Sequence, residues 1–126
     1  MMSLRSATIW AVTCLAASTP CPTETPGLKS HSTASETVNH DWISEINVDV
    51  LIAWVDFEGE EKAAIPLSVG MTETGGTMPG HAYRVRTYDN ELVAEVVIPN
   101  NPPYKAIISH CEGLNTTNEL VSPKKA

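Results

Sequence analysis

The chain has 126 residues, 42% of them hydrophobic and only 6% aromatic, with a formal net charge of -7 at pH 7. That length holds one domain, and the acidic balance repels a phosphate backbone. Lys29, Lys62, Arg84, Arg86 and Lys105 are scattered among more numerous carboxylates, so no basic stripe exists for nucleic acid, and Lys124 and Lys125 are too few for a polybasic membrane anchor.

Residues 1–18 read as a secretory signal peptide. Met1 to Arg5 carries one positive charge, Ala7 to Ala17 is small and apolar, and Ala16, Ala17 and Ser18 are the small residues a signal peptidase accepts. The apolar run, roughly a dozen residues, is well short of the roughly 20 that cross a bilayer as a helix. The expected location is therefore the endoplasmic reticulum lumen or the outside of the cell, with no membrane span. Processing removes Cys14 and leaves Cys21 and Cys111. In an oxidising compartment these predict an internal disulfide whose long loop contributes roughly 4 kcal/mol in the chain-entropy model. A free thiol at either position, or a bridge to another chain, is the alternative.

Residues 19–40 are rich in Pro, Ser and Thr and predict a leading arm, with a short edge strand near Glu36 to Val38. The domain proper spans 41–111. From Ile43 to Phe57 the residues alternate, with Ile46, Val48, Val50, Ile52 and Trp54 on one face, and the second face turns apolar at Leu51, Ala53 and Val55. This predicts one long strand that becomes buried on both sides. A type II′ turn with Gly59 at its first central position sets Trp54 opposite Ile65, Ile52 opposite Leu67 and Val50 opposite Val69. Pro66 places that second strand at an edge or a bulge. Met71 to Gly80 reads as an irregular loop.

Ala82 to Ile98 carries the clearest pattern. Folded about Asp89 and Asn90, it places Tyr83, Val85, Thr87, Leu92, Ala94 and Val96 on a dry face, and Arg84, Arg86, Tyr88, Glu91, Val93 and Glu95 on a wet one. Tyr104 to Cys111 makes a last strand, with Tyr104, Ala106 and Ile108 on one face. The residues 112–126 form a polar tail, in which Asn115-Thr116-Thr117 is a glycosylation sequon. The expected fold is all-β, a small antiparallel β-sandwich of immunoglobulin-like type, because a half-buried hairpin needs a second layer.

The chemistry-bearing residues point away from catalysis. His40 beside Asp41 and His110 beside Cys111 lack ligand spacing, and neighbours on a strand point to opposite faces, so these histidines read as surface residues and no metal or other cofactor is expected. Asp56, Glu58, Glu60 and Glu61 read as a solvated hairpin tip. Gly75-Gly76 lacks the Lys of a phosphate loop, and neither a nucleophile elbow nor a Ser-His-Asp arrangement is visible. Arg84, Arg86 and Tyr88 are the best candidate contact surface, since interfaces favour arginine beside an aromatic. A cross-strand pair between Arg84 and Glu95 accounts for one of them without a ligand.

The segment Gly80-His81-Ala82-Tyr83-Arg84-Val85-Arg86-Thr87-Tyr88-Asp89-Asn90-Glu91 resembles the Gly-x-Tyr-x-Val-Arg-x-aromatic-Asp-x-Glu segment of the delta subunit of the translocon-associated protein complex, with one residue inserted. Glu36-Thr37-Val38 followed by Glu45-Ile46-Asn47-Val48 is similar to that family's first core strand. Asn100-Asn101-Pro102-Pro103 with Ile107 and His110 resembles its last strand, and Cys21-Pro22 sits where the mature family chain begins. The resemblance implies an immunoglobulin-like lumenal domain that helps a multi-subunit membrane complex sit beside the protein-conducting channel, without catalysis. Val50 stands where the family has its second cysteine, so Cys21 would need Cys111. The family ends in a membrane-spanning helix, and the polar residues up to Ala126 imply a truncated or soluble relative.

Pro66-Leu67-Ser68-Val69-Gly70 through Gly76 to Pro79-Gly80 is similar to a stretch of the DM9 mannose-binding lectins. The expected function is a non-enzymatic interaction module with protein partners, and the alternative is a secreted carbohydrate-binding protein. Specific glycan binding lost on substitution of Trp54 or Tyr88 would favour the second.

Overall fold

A computed structural model describes residues 19–33 and 35–114; the signal peptide expected over 1–18 and the sequon at Asn115 lie outside them. The order of elements is β1 (Val38–Glu45), β2 (Val50–Val55), β3 (Glu61–Leu67), β4 (Thr72–Thr77), β5 (Ala82–Thr87), β6 (Leu92–Val97) and β7 (Lys105–Ser109). They form a three-stranded sheet in the order β4-β1-β7 and a four-stranded sheet in the order β3-β2-β5-β6. The domain is thus an all-β sandwich, as expected. A three-and-four division is the strand count of a constant-type immunoglobulin sandwich. The order here puts β1 at the centre of its sheet, antiparallel to β4 and parallel to β7. Among the described residues no helix is long and apolar enough to cross a membrane.

The long strand expected over 43–57 is two strands. About fifteen extended residues would run roughly 50 Å, more than twice a typical strand. The chain instead leaves the first sheet at Glu45 and enters the second at Val50. Ile46 and Val48, on the crossing, are buried at the end of the core. The alternation survives because both residues still point inward, so it could not reveal the change of sheet. β2 is central, and its outer face is covered as predicted: Ala53 and Val55 are buried along with Val50 and Ile52.

The β2–β3 register differs from expectation. Val50 faces Leu67 and Ile52 faces Ile65, and an irregularity before Trp54 then sets that residue opposite Lys62. The turn is longer than two residues because Asp56 organises it. Its Oδ1 accepts the N–H groups of Glu58 at 2.9 Å and Glu60 at 2.8 Å, while Gly59 donates to the Asp56 carbonyl at 3.1 Å. Asp56 is therefore buried at 5% exposure rather than part of a solvated tip. Those N–H donors, led by Glu60, outweigh desolvation and with Lys62 hold its carboxyl below the usual range. At Val50 and Ile52 the slip from the expected pairing is two residues, which keeps those side chains on their faces, so Leu67 still enters the core.

The segment expected to be an irregular loop contains β4. Its residues 72–76 are all exposed, and only Thr77 is buried. No alternation marks it; its extended form comes from the pairing of Asp41 with Thr74 and His40 with Gly75.

The β5–β6 hairpin has the predicted pairing at Tyr83–Val96, Arg84–Glu95 and Val85–Ala94. Beyond Val85 the register shifts, and Arg86 faces Leu92. The turn is a three-residue one, with Thr87 donating its N–H to Glu91 and accepting that of Asn90, both at 2.9 Å, and Asn90 at φ 73°. The extra residue that the shift leaves on β6 is Val93, which joins the core instead of the expected wet face. The core otherwise runs through Trp42, Val50, Ile52, Leu67, Val85, Ile98 and Ile108, between the sheets.

Candidate functional site

The outer face of the four-stranded sheet carries the three candidate contact residues. The arm supplies its cover. Pro20 bridges to Glu112 and Cys21 is disulfide-bonded to Cys111, as expected, which starts the arm beside the end of β7. From there it runs over β5 and β6, and Ser30 closes the crossing: its hydroxyl donates to the Val55 carbonyl and accepts the Ala82 N–H at 2.7 Å. His31 donates its N–H to the Gly80 carbonyl at 2.9 Å.

Arg84 lies beneath this cover, 6% exposed. Its Nε donates to Glu95 at 2.9 Å, its Nη2 to the Thr25 carbonyl at 3.0 Å, and its Nη1 lies 3.5 Å from Glu61. Thr25 completes the cluster by donating its hydroxyl and N–H to Glu95. Burial alone would raise the Glu95 carboxyl, but the Thr25 donors and Arg84 outweigh it and hold it below the usual range. The expected cross-strand pair is present, and the structure turns it into the anchor of the arm.

Arg86 is half-buried one pair further along. It grips Glu61 with two hydrogen bonds, at 2.9 and 2.7 Å, and also donates to Glu24 and to the Asn90 carbonyl. This fork lowers the Glu61 carboxyl, with Arg86 the leading cause. Glu61, Glu24 and Thr25 lie far from the arginines in sequence, and no spacing rule links them.

Tyr88 is different. It is 63% exposed and stands at the turn after β5. Together with Arg86, Thr87 and Asn90 it borders a groove of about 310 Å³ whose floor is Leu51 and Ala53 and whose far wall is Ala63 and Ala64 of β3. β3 is an edge strand, as Pro66 implied, and Ala63 at φ 54° sits beside its irregularity. The groove is small-residue and apolar at its base, with charge only on its rim.

Sequence reasoning also missed His40, which is 1% exposed and packs against Trp42 at 4.4 Å between ring centroids. It is buried, not a surface residue, because it shares with Trp42 the face of β1 that turns to the core. Desolvation lowers its pKa, although Asp41 pulls the other way. Among the described residues no group of three or more His, Cys, Asp or Glu is gathered as a metal site. No family model and no curated protein matches this chain.

Proposed function

We propose that this chain is a non-enzymatic β-sandwich interaction module of the secretory pathway, a lumenal accessory subunit of a multi-subunit membrane complex near the protein-translocation channel. The observation that carries this reading is Tyr88, highly exposed at the mouth of an apolar-floored groove with Arg86 beside it. Interface cores concentrate aromatic and arginine side chains, and a few such anchors supply most of the binding energy. The disulfide supports the compartment, since such bonds persist where the environment is oxidising. The segment with the family resemblance includes β5 and the turn that bears Tyr88, which supports the choice of complex.

The test is site-specific photo-crosslinking in microsomes, with benzoylphenylalanine at Tyr88 in the full chain. The expected result is an adduct with a membrane-complex subunit that is absent when the probe replaces Glu73 on the opposite sheet. Tyr88→Ala should weaken co-purification about tenfold. No adduct at Tyr88, or equal labelling from both positions, overturns the reading.

A further inference from the structure

A second concave site lies away from the Tyr88 groove, at the end of the sandwich where β4 gives way to β5. Trp54 and Tyr83 are direct cross-strand partners there. Trp54 meets Phe57 edge to face at 5.5 Å and His81 at 5.6 Å, and Phe57 meets His81 at 5.7 Å, so three rings form one cluster at the surface. Phe57 is 44% exposed. These rings adjoin a shallow pocket of about 360 Å³, lined by Trp54, His81 and Tyr83 together with Thr37, Thr77 and Met78.

The lining holds no carboxylate, lysine or arginine. Burial lowers the His81 pKa, so this ring is neutral at neutral pH. The polar side-chain groups that remain are uncharged: the Thr37 hydroxyl, the Thr77 and Tyr83 hydroxyls, 2.6 Å apart, and the Trp54 indole N–H, which is buried without an acceptor. An N–H left in that state has lost its hydration without a replacement, and a ligand oxygen that wedges in beside it supplies the missing acceptor.

This chemistry discriminates between ligands. An anion finds no countercharge, and a cation resting on the ring faces could not accept from the indole N–H. A purely aliphatic group would strip water from the hydroxyls and leave the indole donor unmet. A pyranose ring satisfies both demands, because it offers an apolar C–H face to aromatic rings and a rim of hydroxyls that both donate and accept. Ligand pockets commonly pair an apolar, aromatic lining with a few placed polar groups, and this one is within their usual range of size.

We propose that the Trp54–His81–Tyr83 pocket is a carbohydrate site that takes a neutral pyranose ring, stacked on the aromatic cluster with its hydroxyls toward Thr77, Tyr83 and the Trp54 indole. The site is independent of the protein contact proposed at Tyr88, and the two can fail separately.

The test titrates the full disulfide-bonded chain with the methyl glycosides of glucose, mannose, galactose and N-acetylglucosamine while the indole N–H signals are followed by NMR. At least one sugar should move the Trp54 signal saturably, with a Kd of about 1 mM. His81→Ala should weaken that binding about tenfold, and Trp54→Phe, followed by calorimetric titration with the same sugar, should abolish it with the circular dichroism unchanged. Tyr88→Ala should leave it intact. A glycan end is the source if an oligosaccharide with the same terminal sugar binds more tightly than its methyl glycoside, and a free sugar is the source if it does not; either result keeps the site. No movement of the Trp54 signal with any of the four sugars, or an unchanged Kd in His81→Ala, overturns the proposal.

Discussion

Arg84 is a buried cation whose Nε and Nη2 donate to Glu95 and the Thr25 carbonyl while its Nη1 lies 3.5 Å from Glu61. A buried pair of this kind is stabilising only while both partners remain, because an orphaned charge keeps its desolvation penalty. Arg84→Met should therefore lower stability by about 3–5 kcal/mol, read from the urea midpoint, whereas Arg84→Met combined with Glu95→Leu should recover much of the loss by removing both charges. A single substitution as mild as breaking an exposed pair, under about 1 kcal/mol, would mean that the arm does not seal this cluster. The pairing partner of Arg84 was legible in the hairpin pattern because it lies on the adjoining strand. Its burial was not, because the cover comes from Thr25, which shares no periodicity with β5.

The arm and β4 are the two elements whose form depends on neighbours. Residues 19–33 have too few large apolar side chains to fold alone, and hydrogen bonds to edges already made hold them down. Gly80 is where that contact is tightest. At φ +92° it occupies the left-handed region, and a Cβ would stand 2.9 Å from the His31 carbonyl oxygen and 2.9 Å from Thr33 Cγ2. Gly80→Ala should thus combine backbone strain of about 1–3 kcal/mol with a displaced arm, seen as faster hydrogen exchange at the Ser30 and His31 amides. Gly70, at φ +76° with nothing within 4 Å of its Cβ position, is the control. Its alanine variant should lose stability without that exchange signature. Equal exchange behaviour in both variants would show that the contact at His31 does not hold the arm.

Across the whole molecule, the titrating groups divide the pH axis. His40 and His81 have pKa values lowered by burial from 6.5, so below 6.5 the unfolded chain takes up protons that the folded one refuses. Stability from these groups is complete above 6.5 and falls as pH drops beneath it. Glu61 and Glu95 are also lowered, from 4.5, so a second loss follows as pH falls from 4.5 through their folded values. Lys62 is raised above 10.5 by Asp56, and its contribution is lost only as pH rises through that raised value. Urea midpoints across pH should accordingly show a plateau between 6.5 and 10.5 with two descending stages on the acid side. His40→Phe should reduce the first stage to the share carried by His81 and leave the second. An acid limb identical in that variant would place the histidine linkage elsewhere. The disulfide acts at this scale too, since a sequence separation of 90 makes it join the arm to the end of β7 and close nearly the whole described chain.

Local chemistry by itself determined the strand character of β2, β5, β6 and β7, the inward faces of Val50, Ile52, Val85 and Ile108, and the Arg84–Glu95 pairing, because side-chain alternation and adjoining-strand geometry are short-range properties. Pro66 likewise announced an edge, since it cannot donate to a ladder. Tertiary structure decided the rest. β4 is extended only because β1 supplies its partners, Val93 is buried only because the hairpin register shifts, and the β2–β3 turn is set by what the Asp56 carboxylate can reach. The Tyr88 groove and the Trp54 pocket are each assembled from strands distant in the chain, and loop closure brings such residues together without leaving a repeat or spacing that could be read beforehand.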